Sequence, residues 1–133
     1  KGSVIPKFIR QALAGEDLEI WGDGSQTRDF VYVSDLVDAI LAAAHADVGG
    51  EVFQIATHRE TTVSEITVML VELLDERAGV RARVRHGEPM KGEIRRNFSD
   101  ISHAKEVLGW EPATGLREGL SSTVDWFLAQ RED

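Results

Sequence analysis

The chain has 133 residues, no cysteine and a formal net charge of −8, with 42% of its residues hydrophobic. That length suits one compact domain able to bury a core, and the missing cysteines remove disulfide frameworks and thiolate nucleophiles. The acidic balance argues against nucleic acid, whose phosphate backbone calls for a basic face. No run reaches the roughly 18 apolar residues of a membrane span and no signal-peptide pattern opens the chain, so no membrane partner is expected and a reducing cytoplasm fits.

In chain order, Val4 to Ala14 carries apolar residues at helical spacing, with Pro6 in its first turn and Gly15 as a stop. Leu18 to Trp21 and Phe30 to Val33 read as short strands on either side of a Gly22-Asp-Gly24 turn. Ser34 or Asp35 can cap a helix from Leu36 to Ala46 that ends before Gly49-Gly50. Val52 to Ala56 reads as a short apolar strand covered on both faces. Thr62-Val-Ser-Glu65 forms a capping box for a helix running to about Arg77, with Ile66, Met69, Leu70, Leu73 and Leu74 on one face.

Arg81 to Arg85 alternates charged and apolar residues as an exposed edge strand does. After a loop with Pro89 and Gly92, Asp100 can cap a short helix through Leu108 that Gly109 closes. Trp110 and Pro112 lead to an amphipathic helix from about Leu116 to Ala129, with Trp126 and Phe127 in its core face and Trp110 packing the short helix against it. Short strands alternating with helices indicate an α/β unit whose parallel sheet is incomplete. The start, Lys1 leading straight into a helix with no initiating Met, reads as a piece of a longer protein.

The most informative segment is Leu18-Glu-Ile-Trp-Gly-Asp-Gly-Ser-Gln-Thr-Arg-Asp-Phe-Val-Tyr-Val33, followed by Asp35. The glycines allow a tight turn and close approach to a ligand. The planar guanidinium of Arg28 offers paired donors that match phosphate oxygens, although spacing alone leaves a solvated charge, or an ion pair with Asp29 or Asp35, open. This string resembles the substrate-side signature of extended short-chain dehydrogenases/reductases that modify nucleotide sugars, such as UDP-glucose 4-epimerases and dTDP-glucose 4,6-dehydratases. Val4-Ile-Pro-Lys-Phe8, Thr62-Val-Ser-Glu-Ile66, Lys91-Gly-Glu-Ile-Arg-Arg96, Ser99-Asp-Ile-Ser-His-Ala-Lys105, Leu108-Gly-Trp-Glu-Pro112 and Leu116-Arg-Glu-Gly-Leu120 extend the likeness in the family's order.

The resemblance implies that residues 1–133 are the carboxy-terminal, nucleotide-sugar-binding part of an extended Rossmann-type α/β enzyme, with the last elements of its parallel sheet. The implied reaction is NAD-dependent 4-epimerisation of a UDP- or dTDP-sugar, or 4,6-dehydration or decarboxylation where the ketone is retained. Neither a glycine-rich dinucleotide fingerprint nor the family's Tyr-x-x-x-Lys pair is present, since Leu36 stands where the lysine would follow Tyr32. NAD binding and the acid/base step are therefore expected in a missing amino-terminal half, within a parent that the resemblance allows to be a homodimer. No catalytic, cofactor-binding or metal-ligating residue is assigned, and the four histidines show no metal spacing. A non-catalytic nucleotide-sugar-binding module or subunit is the alternative.

On the same resemblance Arg28 would hold the diphosphate, Trp21 and Glu19 would lie at the nucleotide base, and Val4 and Val63 would sit beside the nucleotide. Plain packing is the competing account of the apolar ones. Asp23 and Asp29 read as turn-formers and Asp35 as a helix cap. Met90-Lys-Gly-Glu93 departs from the family's Arg-x-Gly-acid pattern: a thioether replaces a second clamp. Glu93 can still accept from ribose hydroxyls, Lys91 can supply a point charge without a bidentate fork, and Arg95 or Arg96 can substitute.

Overall fold

The computed structural model describes residues 3–130. The elements are α1 (Val4–Leu13), β1 (Leu18–Trp21), β2 (Thr27–Arg28), α2 (Val33–His45), β3 (Thr61–Thr62), α3 (Val63–Ala78), β4 (Val84–Gly87), α4 (Ser102–Leu108) and α5 (Leu116–Ala129). The described residues fall into two compact units: residues 3–26, 62–95 and 117–130 form the first, residues 27–61 and 96–116 the second.

In the first unit β1 and β4 run parallel, Leu18 opposite Val84 and Trp21 opposite Gly87. Alternation along β1 buries Leu18 and Ile20; Phe8 and Ile9 of α1 and Ile66, Leu70 and Leu74 of α3 are buried too, with α1 packed against both β1 and α3. Leu120 and Val124 of α5 are buried too, and Arg117 at its start donates to Glu72 and Glu76 of α3 at 2.7 and 3.0 Å. The capping box at Thr62 is present in both directions, and Gly79 closes α3 at φ 63°. β4 is displaced from the expected Arg81–Arg85 because its pairing with β1 fixes the register. Trp126 corrects the expectation of a core residue: it is 57% exposed, stacked edge-on to the half-buried Phe127.

In the second unit Ala39 of α2, Ala104 of α4 and Trp110 form the core, with Val31, Phe53, Ile55 and Leu108 against them. Trp110 thus joins α4 to α2, and its Nε1 donates to the Asp35 carbonyl at 2.9 Å. Three local expectations fail here. Phe30–Val33 is no strand, because α2 begins at Val33, three residues early, with Tyr32 as its cap. Asp35 does not cap; its two carboxylate oxygens accept from the Thr114 N–H and hydroxyl at 3.0 and 3.1 Å. Val52–Ala56 forms no ladder and is not covered on both faces: Phe53 and Ile55 turn inward while Val52 is 80% exposed.

Candidate functional site

The Gly22–Gln26 turn is built by its fit to the start of α3. The Val63 N–H donates to the Gln26 carbonyl and the Ser64 N–H to the Gly24 carbonyl, each at 3.0 Å. These are helix N-terminal donors that need partners, and the capping box satisfies the next, Glu65 N–H, through Thr62 Oγ1. Gly24 is buried at φ 76°, where a Cβ would run into the Ser64 hydroxyl. Asp23 Oδ1 accepts from the Ser25 N–H and hydroxyl at 2.9 and 2.6 Å, the turn-forming role expected of it. Those bonds, aided by the charge of Arg95, hold its carboxyl below the usual range.

This turn and the loop of residues 89–95 enclose an open cleft of about 310 Å³ within the first unit. Trp21, Pro89 and Met90 give it apolar surface; Asp23, Glu93 and Arg95 give it charge. Gln26, only 7% exposed, ties the two walls together, its Nε2 donating to the Trp21 carbonyl at 3.0 Å and to Glu93 Oε1 at 3.2 Å. Trp21 is 37% exposed, with Lys7 Nζ 5.0 Å from its ring centroid. Ring surface beside carboxylate acceptors and amide and guanidinium donors suits a flat, hydroxyl-bearing ligand at the small end of ligand-site volumes.

Of the residues singled out in the sequence, Trp21 and Glu93 meet in this cleft. Glu19 shares the outward face of β1 with Trp21 but pairs its carboxylate with Arg85 at 3.2 Å. Lys91 is exposed in the adjacent turn, Val4 is half-buried at the start of α1, and Val63 is buried where α3 meets Gln26. Arg28 belongs to β2 in the second unit, half-buried, with one guanidinium nitrogen donating to the Thr27 carbonyl at 2.6 Å. Arg96 is committed to Glu60, which leaves Arg95 as the cleft's arginine. Asp29 corrects its turn-forming assignment by accepting from the Thr57 N–H and hydroxyl at 2.8 and 2.5 Å. Gln26 went unread, since a glutamine between two turn signals carries no local pattern that marks it as buried.

A dinucleotide pyrophosphate requires a glycine-rich turn that opens a helix. The Gly22-Asp-Gly24 turn follows β1 but leads into β2, and the first amides of α3 are spent on the turn and its own cap. Among the described residues, then, this turn offers NAD no cradle, and no group of three or more His, Asp or Glu side chains could hold a metal ion.

The family model described as the NAD dependent epimerase/dehydratase family matches residues 1–56. The chain is 36% identical to a UDP-glucose 4-epimerase of Mycolicibacterium smegmatis over 96% of its own length and 39% of that protein. It is also 36% identical to a dTDP-glucose 4,6-dehydratase of Xanthomonas campestris, covering 96% of itself and 38% of the relative. Among solved structures, UDP-glucose 4-epimerase from Thermotoga maritima with UDP-glucose superposes at a TM-score of 0.85 and 40% identity, over 98% of this chain and 40% of that one. dTDP-glucose 4,6-dehydratase from Bacillus anthracis in complex with NAD gives 0.84 at 29% identity, covering 98% and 40%. The chain thus spans about two fifths of the relatives it matches. With its α/β fold, parallel strand pair and ordered signature segments, the chain is similar over residues 1–56 to the NAD dependent epimerase/dehydratase family and over nearly all of its length to part of these longer proteins.

Proposed function

We propose that this chain is the carboxy-terminal, nucleotide-sugar-binding part of an NAD-dependent NDP-sugar 4-epimerase. In this role it holds the nucleotide diphosphate while an amino-terminal half performs hydride transfer. The cleft over the Gly22–Gln26 turn carries the reading: an aromatic, a carboxylate and an arginine converge where a nucleoside would be gripped. Glu93, steadied by Gln26, accepts from the ribose hydroxyls. Trp21 and the backbone of β1 at Glu19 border the base, with Val4 and Val63 as apolar contacts and Lys91 as a point charge nearby. Arg28 is assigned to the diphosphate on the strength of the motif around it. NAD supplies reversible hydride acceptance at the sugar; the residues of this chain contribute binding and orientation, so that remote binding energy positions the reacting carbon.

Calorimetry of the chain with UDP, dTDP and uridine tests the assignment. Loss of a charge-assisted, bidentate partner in Arg28→Ala weakens UDP binding by about 10-fold or more and leaves uridine binding unchanged. Glu93→Gln weakens UDP and uridine alike. Equal UDP affinity in wild type and Arg28→Ala would remove the diphosphate role.

A further inference from the structure

Within the second unit Arg28 stands at the end of a series of hydrogen bonds. One of its guanidinium nitrogens donates to the Thr27 carbonyl at 2.6 Å, so that carbonyl steers the side chain. Thr27 is fixed in turn, its hydroxyl donating to Glu60 Oε1 at 2.7 Å. Glu60 is gripped by Arg96, whose Nε and Nη2 donate to its two oxygens at 2.8 and 2.6 Å, a fork that leaves the carboxylate little freedom. β2 has only two residues, too short a ladder to set a side chain's direction by itself. The segment that carries Glu60 is braced on the same neighbours. His58 Nδ1 donates to the Ser99 carbonyl at 2.9 Å, and its ring lies 5.8 Å from that of Phe98, over which the Arg96 guanidinium sits at 5.5 Å. His58 has φ 58°, the only positive φ of a non-glycine among the described residues, a costly conformation that persists where the surroundings impose it.

Resting on the diphosphate role proposed for Arg28, we propose that the Arg96–Glu60 pair is a positioning device for the Arg28 guanidinium and acts through Thr27. Each link limits the next: the fork fixes the carboxylate, the carboxylate fixes the threonine hydroxyl, and the threonine carbonyl holds the guanidinium. Without them the guanidinium swings on its flexible stem, and the entropy of re-ordering it falls on diphosphate binding alone. Arg96 has a second task. A lone acid bonded to the residue before a phosphate-binding arginine opposes the incoming anion; the Arg96 charge cancels that of Glu60, so Thr27 is held without net negative charge.

Calorimetry with UDP and with uridine separates positioning from plain bracing, which would affect both ligands alike. Thr27→Val keeps the side chain's shape and removes the hydroxyl; UDP binding weakens by about 5-fold and uridine binding is unchanged. Thr27→Ser, which keeps the hydroxyl, binds UDP as the wild type does. In an Arg28→Ala background Thr27→Val has no further effect, because the group it positions is gone. Arg96→Met weakens UDP binding more than Thr27→Val, since the Glu60 charge is left uncancelled, and adding Glu60→Gln to Arg96→Met restores part of the loss. Equal losses of UDP and uridine in Thr27→Val overturn the positioning role. So does a Thr27→Val loss that persists undiminished beside Arg28→Ala, or an Arg96→Met loss that Glu60→Gln does not relieve. Unchanged UDP affinity in Thr27→Val, with Arg28→Ala weakened, overturns it too and leaves the diphosphate reading standing. If Arg28→Ala itself binds UDP as the wild type does, the diphosphate reading falls and the positioning role with it.

Discussion

Glu60 accepts from Arg96 Nε and Nη2 at 2.8 and 2.6 Å and from Thr27 Oγ1 at 2.7 Å. The Arg96 hydrogen bonds, then that of Thr27, pull its pKa from 4.5 to about 2. A carboxyl depressed by folding contributes stability that is complete above its unfolded value and fades as pH falls through the folded one. Glu60→Gln is therefore less stable at pH 7 and shows a shallower loss between pH 4.5 and about 2, read by urea midpoints across that range. An unchanged acid slope would mean that the brace, whose arginine is largely exposed, is screened by solvent. Asp29 and Asp35 teach the complementary lesson. Both are read locally as turn or cap residues, yet each folds the chain back onto a threonine, 28 and 79 positions away. Short carboxylates next to helix starts satisfy whichever amide reaches them, and sequence distance does not say which.

At the scale of elements, the helices are legible because their signals are local. The capping box at Thr62, the glycine stop at Gly109 and the span of α5 follow from spacing and backbone preference. The strands are less legible, since an extended run becomes a strand only when another supplies its ladder. β1 finds β4, whereas Val52–Ala56 stays unpaired. The Gly22–Gln26 turn is an element in its own right, and its fit to α3 gives a graded expectation. Thr62→Ala loses the cap and costs about 1 kcal/mol. Gly24→Ala must adopt φ 76° and displace Ser64, costing about 1–3 kcal/mol and deforming the cleft wall. Urea unfolding should rank them in that order, with UDP affinity falling only for Gly24→Ala. Equal affinities would show that the cleft tolerates a moved turn.

For the whole molecule, the family signature was readable because its segments occur in a fixed order along the chain, and their order survives without coordinates. The same reading expects the dinucleotide site in an amino-terminal half. The chain alone should bind UDP and show no heat with NAD at millimolar concentration. Saturable NAD binding by the chain alone would contradict that division.

Read alone, the sequence yields the helices, the double-glycine turn and the family resemblance, because caps, periodicity and motif order act over a few residues at a time. Only the tertiary structure decided that Gln26 locks Trp21 to Glu93, that Arg95 rather than Arg96 borders the cleft, and that α2 turns its alanine inward and its large side chains out. Those outcomes depend on which distant group reaches a donor or a face first, and long-range competition of that kind leaves no local spacing to read.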